Sequence, residues 1–218
     1  MQATLQALTK SPRLNLLLNE LLDFSEEEDE RRRVFYDEIE DGVKTEFING
    51  EVIVHSPDKA KHIVIRERLS ALLRTHVTAH ELGWLGGEKA LTVFTRNDYM
   101  PDIVFFGKAK AAKIQDDTMK FPVPDFVVEV LSPSTRKRDR GVKFDDYAGH
   151  GVREYWIVDP VAEVIEVWLL GERDEYTLSA KHARGTVRAQ VIKGFAMPVR
   201  AAFDDRENLK ALSSLLAK

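Results

Sequence analysis

Two short apolar runs occupy the middle of the chain, at Ile103–Phe106 and Phe126–Leu131. Short continuous apolar runs of this kind are typical of buried strands. Each run carries an acid where a core strand favours an apolar residue, with Asp102 directly before the first run and Glu129 inside the second. If the two strands pair antiparallel, the start of the first lies opposite the end of the second. The pattern therefore predicts that Asp102 and Glu129 lie close together.

Before these strands, apolar and polar residues alternate on both sides of Asn49-Gly50, which is a strong signal for a β-hairpin. A helix is predicted to follow Ser56-Pro57-Asp58 and to run to about His80. A mostly apolar stripe at helical spacing begins at His62, which is therefore expected to point inward. It consists of His62, Ile65, Leu69, Leu72 and His76. An inward histidine is most often a satisfied structural residue.

The remaining helices and strands are predicted from the residues that interrupt regular structure, such as glycine and proline, and from the spacing of the apolar residues. The glycine-rich segment Gly83–Gly87 is interpreted as a loop, and Ala90–Phe94 as the first core strand. The other predictions are a helix at Leu14–Leu22, a surface helix at Lys108–Asp117, a helix from Arg136 to His150, a hairpin of Glu154–Asp159 with Glu163–Leu169, weaker strands at Tyr176–Leu178, Arg188–Ile192 and Met197–Val199, and a C-terminal helix ending at Leu216.

The order of helix, three strands, helix and strand favours an α/β or α+β layered fold. A chain of 218 residues with 44% hydrophobic content can bury one good core, so one domain with additions is expected. We divide it into an N-terminal helical extension (residues 1–43), a main domain (44–200) and a C-terminal tail helix (201–218).

The composition limits which metal ligands the chain can offer, where in the cell we expect it and how it could bind a nucleic acid. The chain has no cysteine, so any metal must be held by oxygen or nitrogen. No apolar run is long enough to span a bilayer and no signal peptide is recognisable, so we expect a cytoplasmic protein without a membrane partner. The net charge of −4 means that a nucleic acid would have to meet a local basic patch.

The spacing of Pro101-Asp102, Glu129 and a following lysine resembles the PD-(D/E)XK, or restriction-endonuclease-like, nuclease superfamily. The segments VVEVLSPST and DRGVKFDDYAGHGVREYWIVDP resemble, more narrowly, a large bacterial restriction endonuclease family, over roughly Lys44 to Arg200. The superfamily has a strand lysine shortly after the second acid, but Val130 and Leu131 stand there in this chain. In the narrower family the lysine comes from the following helix, which here is Lys143.

This resemblance implies an αβββαβ core with a central mixed sheet flanked by helices, to which the N-terminal helix and extra hairpins are added. It implies a site for Mg²⁺, or Mn²⁺, held by Asp102, Glu129 and the main-chain carbonyl of Val130. Two carboxylates suit a hard divalent cation that assists phosphodiester hydrolysis. Lys143 would orient or deprotonate the attacking water, or stabilise the developing charge. His62, on the first helix, is a further candidate beside the metal.

Each candidate also has a simpler interpretation. Asp102 alone would be a turn residue, and Glu129 could be buried against an arginine or lysine. Lys143 alone would be a solvated helix residue, paired with Asp139 on the surface. Glu51, which follows the hairpin turn, is a further site candidate, although an exposed strand charge explains it as well.

A basic run at the start of the helix after Glu129 is a candidate for binding the nucleic-acid backbone. It consists of Arg136, Lys137, Arg138 and Arg140, and Lys59 and Lys61 could extend it. A charge run at a helix start is equally explained as a solvated face.

These observations favour a magnesium-dependent endonuclease acting on DNA. The alternative from another class is a catalytically inactive nuclease-fold protein that binds nucleic acid or a protein partner. A third is a structural domain whose acids are ion-paired. Enzymes that cut both strands commonly dimerise, so a homodimer through the N-terminal helix or the C-terminal hairpins is also considered.

Overall fold

A computed structural model describes residues 2–40 and 42–217, with the side chains of residues 6–40 and 42–217. Met1, Asp41 and Lys218, which fall in the predicted terminal extensions, lie outside the described residues. The helices are α1 (Gln2–Thr9), α2 (Leu14–Glu38), α3 (Ala60–Ala79), α4 (Lys108–Ala111), α5 (Arg136–Asp139), α6 (Val142–Gly149) and α7 (Asp205–Leu216), with a 3-10 turn at Val199–Ala202. The strands are β1 (Thr45–Ile48), β2 (Glu51–Val54), β3 (Gly83–Gly87), β4 (Leu91–Val93), β5 (Asp98–Tyr99), β6 (Ile103–Gly107), β7 (Lys120–Phe121), β8 (Phe126–Val130), β9 (Glu154–Asp159), β10 (Val164–Leu170), β11 (Tyr176–His182), β12 (Thr186–Arg188) and β13 (Ala196–Pro198).

The large sheet has the strand order β11-β10-β9-β8-β6-β3. Strands β3, β6 and β8 are antiparallel neighbours, and β9 joins β8 in parallel after the chain has passed through α5 and α6. Since α3 precedes β3, the order α3-β3-β6-β8-α6-β9 is the expected αβββαβ arrangement with a mixed sheet. The predicted fold class is confirmed.

Apolar side chains cover both faces of the large sheet, because β6 and β8 alternate between two apolar layers. Val128 and Ile103 face a layer that includes Ile65 and Leu69 of α3 and also residues of α7. Val104 and Val127 face the opposite layer, which contains Tyr147 of α6. Successive strand residues point to opposite faces, so Asp102 and Glu129 both belong to the α6 face.

A second, smaller sheet has the order β2-β1-β5-β4-β7. Its hairpin β1-β2 turns at Asn49 and Gly50, whose φ angles of 52° and 81° are those of a two-residue hairpin turn. The predicted hairpin is thus present. Helix α2 packs on this sheet, with the rings of Phe35 and Phe47 5.7 Å apart.

The first core strand differs from the prediction. Gly83–Gly87, interpreted as a loop, is β3 and pairs along its length with β6. The predicted core strand at Ala90–Phe94 instead contributes β4 to the small sheet. The backbones approach closely, since a Cβ on Gly87 would lie 2.5 Å from the carbonyl oxygen of Asp102. Glycine in this strand therefore reflects close packing rather than a loop.

The predicted helix from Arg136 to His150 is interrupted, because it forms α5 and α6 with a break at Gly141. Gly141 has φ −126° and ψ −108°, and a Cβ there would lie 2.8 Å from the carbonyl oxygen of Lys137. The N-terminal helix is longer than predicted, since α2 continues through the acidic and basic block to Glu38. The surface helix at Lys108–Asp117 is shorter, and only its first turn is helical.

The C-terminal helix α7 packs against α3. Asn208 donates a hydrogen bond of 3.2 Å to the carbonyl oxygen of Arg68, whose side chain binds Asp205. The strand predicted at Arg188–Ile192 lies earlier, at β12, where it pairs with β13. Among the helices described, none has the length and apolar character needed to cross a membrane.

Candidate active site

The pairing of β6 with β8 brings two acids together. Ile103 pairs with Val128 and Val104 with Val127, and continuing this register by one residue places Asp102 opposite Glu129. The amide nitrogen of Asp102 lies 3.4 Å from Oε2 of Glu129. Both side chains are buried, with exposures of 2% and 3%. The predicted proximity of the two carboxylates is confirmed. Asp102 lies in a bend directly before β6, but its side chain is buried beside Glu129.

Three groups surround the Asp102 carboxylate. Lys44 Nζ donates to Oδ1 at 2.9 Å, the amide of Val130 donates to Oδ2 at 2.8 Å, and His62 Nε2 lies 3.2 Å from Oδ2. Burial by itself raises the pKa of Asp102, but Lys44, His62 and the Val130 amide together hold it well below its ordinary value. Asp102 is therefore ionised, and His62 points inward beside it as expected.

Glu129 is bound by two donors from α6. Lys143 Nζ donates to Oε1 at 2.9 Å and the Tyr147 hydroxyl donates to the same oxygen at 3.0 Å. Lys143 is only 1% exposed, so its interpretation as a solvated helix residue is wrong. Burial raises the pKa of Glu129, and the nearby Asp102 charge adds to that effect. Burial lowers the pKa of Lys143, but the attraction of Glu129 and Glu46 outweighs it and raises the pKa well above 10.5.

Glu46 belongs to this cluster and was not predicted. It lies on β1, is fully buried, and its Oε1 is 2.8 Å from Lys143 Nζ. It also accepts one hydrogen bond of 2.9 Å from the Met100 amide and pairs with His55 at 2.9 Å. Burial raises its pKa, but Lys143 and His55 lower it to about 2. The sequence signal for Glu46 was an acid in one strand of the predicted hairpin. The sequence does not show which face of that hairpin another element covers, so the signal did not identify Glu46 as a site residue.

Asp139 is buried on the short helix α5. Its carboxylate is 1% exposed and lies 3.8 Å from Lys143 Nζ, and neither oxygen has a hydrogen-bond partner among the residues described. Burial and the Glu129 charge raise its pKa to about 7. The pairing with Lys143 is therefore internal, and the interpretation as a surface ion pair is wrong. Glu51, in contrast, is exposed on β2 and is not brought to the cluster, because the buried acid of the hairpin is Glu46.

The predicted basic run is partly neutralised within the chain. Arg136 pairs with Asp159 at 2.9 Å and Arg140 pairs with Glu166 at 2.8 Å. Lys137 is exposed and Arg138 is half-buried. Lys59 and Lys61 are exposed at the start of α3, the helix that carries His62.

The donor chemistry of the cluster fits a hard divalent cation. Within the described residues, no three Asp, Glu or His side chains are already arranged to bind a metal. However, among the described residues the cluster holds four carboxyl groups and only two lysines, and the raised pKa of Asp139 shows that the metal-free cluster limits its negative charge by keeping a proton there. A divalent cation would supply positive charge to the same acids. Carboxylate and carbonyl oxygens are the ligands that Mg²⁺ and Mn²⁺ prefer.

Comparison with known proteins identifies the family of this chain. The sequence pattern of the Uma2 family, described as "putative restriction endonuclease", matches residues 27–200. The uncharacterized protein slr1290 of Synechocystis sp. is 31% identical over 127 residues, which cover 57% of this chain and 65% of that protein. The chain thus spans just under two thirds of this relative.

The fold has a solved counterpart. A crystal structure from Anabaena variabilis, described as a "putative nuclease belonging to DUF820", superposes with a TM-score of 0.63 at 18% identity. The superposition covers 77% of this chain and 90% of that one. At this identity the likeness concerns the fold. Together with the family match over most of the chain, it shows that the protein belongs to the Uma2 family of the restriction-endonuclease-like superfamily.

Proposed function

We propose that this protein is a metal-dependent endonuclease that hydrolyses phosphodiester bonds of DNA. The observation that carries the proposal is the buried pair Asp102 and Glu129 on adjacent strands, with the Lys143 ammonium 2.9 Å from Glu129. Burying two acids and a lysine costs free energy of folding. The family to which the chain belongs supports nuclease activity as the reason for these buried charged residues.

In this mechanism Asp102, Glu129 and the main-chain carbonyl of Val130 would hold Mg²⁺, which Mn²⁺ could replace. A divalent cation at these oxygens would neutralise charge on the scissile phosphate. Lys143 acts as a cation, because its raised pKa keeps the ammonium protonated at neutral pH. As a cation it stabilises developing negative charge and orients water by donating hydrogen bonds.

The DNA backbone approaches along α5, where Lys137 is exposed and Arg138 is half-buried. Arg136 and Arg140 contribute less charge to this surface, since each already binds an acid of the same chain. Lys59 and Lys61 extend the basic surface at the start of α3.

The test is cleavage of supercoiled plasmid and of single-stranded DNA, with Mg²⁺ or Mn²⁺. Glu129→Gln should lower the metal-dependent rate about a hundredfold or more. Glu67→Gln, which changes an exposed acid of α3, is the matched control and should cleave like the wild type. Equal cleavage by the wild type and Glu129→Gln would contradict the proposal.

A second candidate is a catalytically inactive nuclease-fold protein that binds nucleic acid or a protein partner. One observation favours it: Lys44 and Lys143 already pair with Asp102 and Glu129, as in an internal ion-pair cluster. Binding of DNA without cleavage under any metal would select this candidate.

A further inference from the structure

Lys44 is a second lysine in the acidic cluster, and the proposed function gives it no role. It lies directly before β1, and its ammonium is 2.9 Å from Oδ1 of Asp102. That oxygen belongs to one of the two carboxylates that would hold a metal. Since the amide of Val130 and His62 already lie at Oδ2, Lys44 covers the other oxygen of Asp102.

The two lysines are held differently. Lys143 is 1% exposed and lies between Glu129 and Glu46, with the Tyr99 ring centroid 5.7 Å away. The Lys44 side chain is 13% exposed and forms one carboxylate hydrogen bond, to Asp102. Lys44 can therefore leave its partner toward solvent, whereas Lys143 would have to abandon two acids.

The electrostatics at Asp102 oppose joint occupancy by Lys44 and a metal. Two positive charges a few ångströms apart repel each other, and the repulsion is stronger when one of them is divalent. In contrast, Lys44 without a metal compensates a carboxylate that is almost fully buried. The same oxygen is thus neutralised by one cation or by the other.

We infer that Lys44 is the exchangeable counter-ion of the site: it neutralises Asp102 in the metal-free protein and is displaced when a divalent cation binds. The inference rests on the metal site of the proposed function. Its consequence is that Lys44 weakens metal binding while it stabilises the empty protein.

The first test is calorimetric titration with Mn²⁺ and with Mg²⁺. Lys44→Met removes the charge and keeps most of the side-chain length, and it should bind each ion about tenfold more tightly or better. Lys113→Met, which changes an exposed lysine, is the matched control and should bind like the wild type. In the absence of metal, Lys44→Met should unfold at a lower temperature, because Asp102 loses its cation.

The second test uses the wild type and does not depend on the folding of a variant. Amine-reactive labelling is read out lysine by lysine by mass spectrometry, with and without Mn²⁺. Labelling of Lys44 should rise severalfold when Mn²⁺ is added, while Lys143 stays protected between its two acids. Lys113 should be labelled equally in both states.

The outcomes separate this inference from the proposed function. If the wild type binds Mn²⁺ and Glu129→Gln does not, but Lys44 labelling is unchanged, the inference is wrong and the metal site stands. Tightening in Lys44→Met without any change in labelling would also contradict displacement. If the wild type binds no metal, both the inference and the metal-dependent mechanism are wrong.

Discussion

Leu131 and Lys143 illustrate how a residue of one element can replace a residue of another. Leu131 lies two positions after Glu129, directly beyond β8, and is 2% exposed within the apolar layer on the α6 side of the sheet. This is where the superfamily pattern has its strand lysine. Lys143 delivers an ammonium to Glu129 from α6 instead, at 2.9 Å. The chain keeps the charge pair while the strand after Glu129 stays apolar.

Glu46 gives a first test at the scale of a single residue. Its pKa is about 2 in the folded protein against 4.5 for the ordinary group, so its contribution to stability is present above pH 4.5 and is lost as pH falls through about 2. Glu46→Gln should lower the free energy of unfolding by roughly 3 kcal/mol at pH 7. Urea denaturation should show the difference from wild type shrinking between pH 5 and pH 3. A constant difference over that range would contradict this role for Glu46.

The effect of Asp139 on the stability of the protein should depend on pH in the opposite direction. Its pKa is raised from 3.8 to about 7 in the folded protein, so the folded state holds a proton that the unfolded state releases, and stability falls as pH rises between these values. In metal-free protein, Asp139→Asn should therefore gain stability over wild type, by a few kcal/mol, as pH increases from 4 to 8. Thermal unfolding in the presence of a chelator measures this. Parallel pH profiles for the two proteins would exclude it.

At the scale of elements, the site is assembled where three structural units meet. The hairpin β1-β2 provides Glu46, strands β6 and β8 of the large sheet provide the two acids next to each other, and α6 provides Lys143. The break at Gly141 separates α5 from α6. It lies between Asp139 and Lys143, both of which are buried in the cluster.

Strand β3 tests the importance of close backbone packing. A Cβ on Gly83 would lie 2.0 Å from the carbonyl oxygen of Phe106, and the φ angle there is +150°. Gly83→Ala should therefore destabilise the protein by roughly 1–3 kcal/mol. Gly149→Ala is the control, since a Cβ there meets nothing within 4 Å. Comparable denaturation midpoints for the two variants would refute the close packing of β3 on β6.

The strands that carry the acids were predictable because an acid interrupted an otherwise apolar run, and the antiparallel pairing then placed Asp102 beside Glu129. The helix-borne lysine followed from the resemblance, since spacing alone does not bring Lys143 to Glu129. Lys44 and Glu46 were missed because an alternating hairpin has two faces, and its sequence does not show which one another element will cover. The glycine strand β3 was missed because local composition cannot report how closely a neighbouring backbone approaches.

At the scale of the whole molecule, the N-terminal helix is tied to the small sheet by a buried ion pair. Arg32 Nε and Nη2 donate to the Asp98 carboxylate at 2.7 and 2.6 Å, and Asp98 is fully buried. Tyr36 donates to the same carboxylate at 2.9 Å. Helix α2 therefore forms part of the folded unit through specific contacts.

The neighbouring arginines of α2 provide a matched comparison. Arg32→Met should cost roughly 3–5 kcal/mol, because it leaves a buried carboxylate without its cation. Arg33→Met should leave the stability close to that of the wild type, since Arg33 and its partner Glu30 are both exposed. Chemical denaturation of the two variants measures the difference. Equal losses of stability would mean that the Arg32–Asp98 pair does not anchor the helix.

The hairpin that carries Glu46 has few backbone links to the rest of its sheet. Apart from its pairing with β2, β1 pairs with β5 at one position, Phe47 with Asp98, among the residues described. The ion pairs of Glu46 and Lys44 add links between this segment and the acids of the site. Amide hydrogen exchange in β1 should thus respond to events at the carboxylates. The protection of these amides from exchange would report whether the charges beneath the hairpin are balanced.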